Sequence, residues 1–109
     1  MPDTYILEGH TPVPCDDILT WAKWLQANED KRRVAIDEIN SATISTVFLG
    51  LNHAFGYGPP LIFETMVFTP PSSHSECYCA RCSTWNEALE QHRVACEWVR
   101  NGMAERDQP

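Results

Sequence analysis

Residues 74–82 read HSECYCARC, which brings His74, Cys77, Cys79 and Cys82 into one short stretch. Imidazole and thiolate are the ligands that hold Zn2+ in a tetrahedron, so these four could form a metal site. Structural zinc sites usually take their ligands as two pairs from separate elements, because one short loop wraps an ion poorly. C-x-C-x-x-C is therefore a weaker pattern than two C-x-x-C knuckles. Cys79-Ala80-Arg81-Cys82 also has thioredoxin spacing and precedes a helix whose dipole would favour a Cys82 thiolate. Such a pair belongs at a strand-to-helix turn of βαβ topology, and the elements here follow another order. The reading adopted is a thiol-bearing loop, with no cofactor expected and zinc on these four residues as the alternative.

Asn52-His53 ends a strongly apolar segment and leads into Phe55-Gly56-Tyr57-Gly58. Aromatic rings beside glycines can stack on a planar group while backbone N–H groups hold an anion. Asn52, His53, Phe55 and Tyr57 are the candidate ligand residues, with Arg33, Arg81 and Arg93 as candidate cations; a plain hairpin turn is the competing reading. Cys96 and His92 fall on the apolar stripe of a helix and read as core, the histidine hydrogen-bonded. Glu64 lies among apolar neighbours in LIFETMVFT, so it either faces solvent or has a partner. The chain shows no Walker loop, no H-E-x-x-H and no Ser–His–Asp spacing, and an enzyme is not expected.

Fifteen acidic side chains stand against eight basic ones, for a formal charge of −7. That balance repels a phosphate backbone and disfavours general nucleic-acid binding. A chain of 109 residues, 43% hydrophobic with four Trp, suffices for one domain with a real core. The start, MPDTYILEGH, lacks a basic then apolar leader pattern, and the apolar run at Val47–Leu51 is too short to span a bilayer. Five cysteines without an export pattern lead to an expectation of reduced thiols in the cytoplasm.

The elements that must position these residues follow from periodicity. Tyr5-Ile6-Leu7 reads as a strand, and Thr11–Pro14 as extended chain. Asp16 and Asp17 precede Ile18, Trp21, Ala22 and Leu25 at helical spacing, predicting a capped helix over about 17–28. Residues 34–39, 42–52 and 61–69 alternate as strands, with Asn40-Ser41 as a turn and an antiparallel hairpin joining the last two. Residues 70–82 are expected as a loop. Thr84 and Glu87 match a capping box for a helix ending near Gly102, and the tail from about 104 to 109 is polar. The expected fold is α+β in the order β-α-β-β-β-α, a four-stranded antiparallel sheet with two helices on one face, in a single domain.

Trp24, Val94 and Trp98 fall off the apolar stripes of their helices. Exposed aromatic groups of this kind mark contacts, so these three are read as a subunit interface of a homo-oligomer.

The strings EGHTPVPCDD, WAKW, STVFLGLNH, FGYGPPLIFETMVF and STWNEALEQH, running from about Tyr5 to Arg100, resemble a group of small proteins encoded in phages and prophages. Cys77-Tyr78-Cys79 departs from the family pattern, in which this loop is variable. The resemblance implies a phage origin. Together with small size and the absence of catalytic motifs, it leads to the expectation of an accessory protein that counters host defence by binding. One form sequesters a cyclic-nucleotide immune signal, and another docks on a defence protein. A small zinc-binding or structural phage factor is the alternative.

Overall fold

Two alternating stretches make the centre of the molecule. Ala42, Ile44, Thr46 and Phe48 are buried while the residues between them are half-buried, and Phe63, Thr65 and Val67 repeat the pattern. A period of two in β-branched and aromatic residues is what a strand with one core face requires. The computed structural model describes residues 3–54, 58–69 and 76–102. In chain order its elements are β1 (Tyr5–Glu8), β2 (Thr11–Pro14), α1 (Ile18–Ala27), α2 (Glu29–Arg32), β3 (Arg33–Ile39), β4 (Ala42–Phe48), β5 (Phe63–Phe68), β6 (Glu76–Cys82) and α3 (Trp85–Arg100).

Strands β3 to β6 form an antiparallel sheet in sequence order. Asn40 and Ser41 turn β3 into β4 with φ of 53° and 72°. A two-residue type I′ turn demands positive φ at both positions, and its twist matches that of the strands. One correction concerns residues 70–82: the stretch from Glu76 to Cys82 is the fourth strand of this sheet, not loop. Tyr78 and Cys82 are buried opposite Val67 and Phe63, so the segment alternates like its neighbours behind polar-looking residues. A second correction concerns Tyr5–Glu8, which does not join the main sheet. Gly9, at φ 63°, lets the chain fold straight back, and β1 pairs with β2 as a separate ribbon. Pro12 and Pro14 have no N–H to give, which suits β2 to an edge.

Helix α3 lies across the sheet, and its Ala88, His92, Ala95, Cys96 and Val99 are buried. Thr84 Oγ1 accepts from the Glu87 N–H at 3.1 Å and the Glu87 carboxylate accepts from the Thr84 N–H at 3.1 Å, closing the expected capping box. The core has two parts. Ile44, Val67, Tyr78 and Val99 belong to one, and Leu7, Phe48, Ile62, Phe63, Cys82 and Ala88 to the other.

Helix α1 is capped by Asp17, whose carboxylate accepts from the N–H groups of Leu19 and Thr20. It buries no residue fully. Its Trp24 meets Phe48 edge-on, with ring centroids 5.9 Å apart, and so covers one end of the face that carries α3. Gly50 locks this corner: its φ is +78°, its carbonyl accepts from Trp21 Nε1 at 3.1 Å, and an added Cβ would stand 3.0 Å from Leu25 Cδ2. No helix among the described residues is long and apolar enough to cross a membrane.

Candidate functional site

Several elements and their connections converge on one cleft. The β1–β2 turn supplies Gly9 and His10, α1 supplies Trp24, the α1–α2 junction Asn28, α2 supplies Asp30 and Lys31, β3 supplies Arg33, and α3 supplies Trp85. Leu7 closes the floor, and the cavity volume is about 470 Å3. That lies within the range of small-ligand sites, about 300–1,000 Å3.

Each wall has a local cause. The His10 ring lies flat on the Trp85 indole, with centroids 3.7 Å apart and planes 3° from parallel. Trp85 is held from behind by Phe63, which meets it edge-on at 6.2 Å. Asn28 donates from Nδ2 to the Trp24 carbonyl at 2.8 Å, ending α1 and setting the position of α2. Between Arg33 and Ala35 the β3–β4 register shifts, leaving Val34 as the extra residue of a bulge. Bulges bend a strand and re-aim its side chains. Here Val34 packs into the core while Arg33 borders the cleft. Among the described residues, no ion pair involves Lys31 or Arg33.

The other candidate cations are committed elsewhere. Arg81 donates from Nε to Glu64 Oε2 at 2.9 Å on the sheet face away from α3. Arg93 is gripped by Glu90 and Glu97, which raise its pKa further. The hollow beside Arg81 is bordered by Glu87 and Glu90 and so does not suit an anion. The structure therefore does not bring Arg33, Arg81 and Arg93 together. Asn52 is occupied as well: its Oδ1 accepts from the N–H groups of Ala54 at 2.8 Å and Leu61 at 3.0 Å, clamping the loop shut. The His53 N–H donates to the Leu61 carbonyl at 3.0 Å. Phe55 and Tyr57 lie outside the described residues, as does His74.

Among the described side chains Cys79 and Cys82 do not gather either; the side chain of Cys77 lies outside them. Cys79 and Cys82 stand three apart on one strand and face opposite sides of the sheet. The Cys79 thiol donates to Glu64 at 3.6 Å on the open face, and the Cys82 thiol to the Thr84 carbonyl at 3.7 Å on the covered one. One ion cannot be held by both, which corrects the four-ligand zinc alternative. Burial, with help from the nearby Glu87 carboxylate, pushes the Cys82 thiol up to about 11, so no thiolate forms there near neutrality. The C-x-x-C reading fails for the same two reasons.

The off-stripe residues divide. Trp98 is half-buried against Tyr78, with ring centroids 5.1 Å apart, and packs on the first core cluster, so it is not an exposed aromatic. Trp24 belongs to the cleft and to the second cluster. Val94 is exposed at 40%.

A buried polar chain crosses the sheet beneath α3. Thr65 and Thr46 share a hydroxyl hydrogen bond of 2.7 Å, Thr46 Oγ1 is 2.8 Å from His92 Nδ1, and His92 Nε2 is 2.7 Å from Asp37 Oδ2. The hydroxyl–imidazole–carboxylate order resembles a hydrolase relay, but Thr46 is fully buried and its oxygen reaches no substrate. The hydrogen bond from His92 holds the Asp37 carboxyl below its ordinary range.

No protein-family model, curated protein or solved structure matches the chain. In the sequence Trp24 and Arg33 fall to separate roles, and nothing there marks His10, Lys31 or Trp85 as cleft residues. Only the run Lys31-Arg32-Arg33, a local basic cluster in an acidic chain, hinted at the place.

Proposed function

We propose that this chain acts by binding, and that its ligand is a small planar anion of the nucleotide type held in the cleft. The observation that carries this reading is the meeting of two indoles and an imidazole with two cations that form no ion pair, against one carboxylate, Asp30, around about 470 Å3. A base gains about 1–3 kcal/mol by stacking on an aromatic side chain, and a phosphate is attracted by Lys31 and by the planar fork of Arg33. In a chain of net charge −7 a local positive pair selects a small anion over a polymer. The resemblance to small phage-encoded proteins supplies the setting: stoichiometric capture of a cyclic-nucleotide immune signal in the host cytoplasm, without catalysis.

Native mass spectrometry of protein purified from defence-expressing cells tests the reading. Retained nucleotide mass, absent from an Arg33→Ala preparation, is the expected result. Protein that carries no small molecule from any such cell argues against it.

One feature favours a second reading, direct docking on a host defence protein. At the start of α1, Ile18 and Leu19 are 58% and 71% exposed, an apolar pair left open by the described residues. Ile18→Asp with Leu19→Asp would abolish inhibition under that reading and leave nucleotide capture intact.

A further inference from the structure

A cluster of ligand-type side chains lies away from the cleft residues, where α3 crosses the edge strand β3. His92 and Cys96 stand one helical turn apart on the buried face of α3, and Asp37 faces them from β3. Nε2, Sγ and the carboxylate oxygen all lie within 4.8 Å of one another. Imidazole, thiolate and carboxylate are the three ligand types of Zn2+, and i, i+4 spacing on a helix brings two of them to one ion.

We propose that Asp37, His92 and Cys96 bind a borderline-soft divalent cation of the Zn2+ class, with water in the fourth position. With Zn–N and Zn–O near 2.0–2.1 Å and Zn–S near 2.3 Å, ligand atoms around a tetrahedral ion stand about 3.3–3.6 Å apart. His92 Nε2 and Asp37 Oδ2, now at 2.7 Å, must part slightly, and Cys96 Sγ, now 3.8 Å from the same oxygen, must approach slightly. The Asp37 side chain is 53% exposed on an edge strand, so it has room to swing and leaves the fourth position open to solvent. His92 is only 7% exposed and is fixed at its other nitrogen by Thr46. That hydroxyl accepts from Nδ1–H as readily as it donates to Nδ1, so it supports the tautomer that frees Nε2 for a metal.

Binding breaks the hydrogen bond between Nε2 and Oδ2 and releases the Cys96 thiol proton to solvent. The imidazole proton moves to Nδ1, where Thr46 Oγ1 accepts its hydrogen bond, and the thiol proton is the one released, so affinity rises with pH. The site differs from the HSECYCARC motif, and its ligands are far apart in sequence.

The test is titration of the reduced chain with Co2+, followed by displacement with Zn2+. At one equivalent, tetrahedral d–d bands with a thiolate-to-cobalt charge-transfer band are expected, and Zn2+ should remove them. Cys96→Ser should lose the charge-transfer band and Cys79→Ser should keep it. Asp37→Ala, at a half-exposed edge-strand position, removes the partner of His92 Nε2 as well as the ligand, and should weaken affinity by more than about tenfold, the loss typical even of an outer-shell partner, with the melting curve showing that the variant is folded. If Cys96→Ser fails to fold, the Asp37→Ala comparison decides alone. Absence of the bands, their survival in Cys96→Ser, or unchanged affinity in Asp37→Ala would overturn the assignment.

Discussion

The His10 imidazole stacks on the Trp85 indole at 3.7 Å, joining the tip of a small β-ribbon to the first turn of the last helix. The contact closes one side of the cleft, and its two partners differ in what they support. His10 is exposed on a turn, whereas Trp85 packs on the second core cluster. His10→Ala should leave thermal stability within about 0.5 kcal/mol, as for surface sites generally. It should weaken nucleotide binding by about 1 kcal/mol or more through the lost stacking wall. Trp85→Ala should lose both binding and about 3 kcal/mol of stability. Paired melting curves and titrations separate the two effects.

Ser41 sits at φ 72° in the β3–β4 turn, a conformation that glycine adopts without penalty. A side chain there costs about 1–2 kcal/mol. Ser41→Gly should therefore stabilise the fold by about 1 kcal/mol, partly offset by glycine's greater freedom when unfolded. Urea denaturation gives the answer directly. A loss of stability would mean that the hydroxyl holds the turn.

Cys82 should make stability fall in alkali. Its thiol ionises at about 11 when folded against an ordinary 9.0, so the folded state favours the protonated form. The contribution is complete below pH 9.0 and is lost as pH rises towards about 11. Melting of wild type and Cys82→Ala across that window should show the wild-type advantage shrinking. A constant gap would place the thiol in water. Cys79→Ser, on the open face, should be nearly neutral throughout.

Trp98 and Val94 can now be tested separately. Trp98→Glu drives a carboxylate against Tyr78 and the core, so unfolding of about 3 kcal/mol or more is expected and not a clean monomer. Val94→Glu keeps the fold, because the position is 40% exposed. If the homo-oligomer expected from the sequence forms through this position, the substitution should shift the mass by light scattering to that of one chain. An unchanged mass removes Val94 from any interface.

Much of the architecture could be read from local pattern. Thr84 with Glu87, Asp17 before Ile18, and the alternation of Ala42–Phe48 each declare an element through a short-range mechanism. His92 read as a bonded core histidine from its place on the apolar stripe. Strand β6 was hidden because Cys-Tyr-Cys-Ala-Arg-Cys shows its alternation only when laid against Phe63–Val67. The cleft was hidden for a deeper reason. His10, Trp24, Arg33 and Trp85 come from four elements, and only the ribbon's separate pairing and the bulge at Val34 bring them together. The candidate cations were chosen by type; Arg81 is taken up by Glu64 across the sheet, whereas the pairing of Arg93 with Glu90 and Glu97 lies within one helix and was legible from their spacing.

Calorimetric titration of the chain with a panel of cyclic di- and trinucleotides and cyclic ADP-ribose isomers tests the central claim most directly. At least one member should bind with a submicromolar Kd. Arg33→Ala should weaken that binding by about 1.5–3 kcal/mol, the worth of a hydrogen bond to a charged group, while Arg93→Ala leaves it unchanged. No submicromolar binding by any member, or equal affinity in Arg33→Ala, would contradict the assignment of the cleft as a nucleotide site.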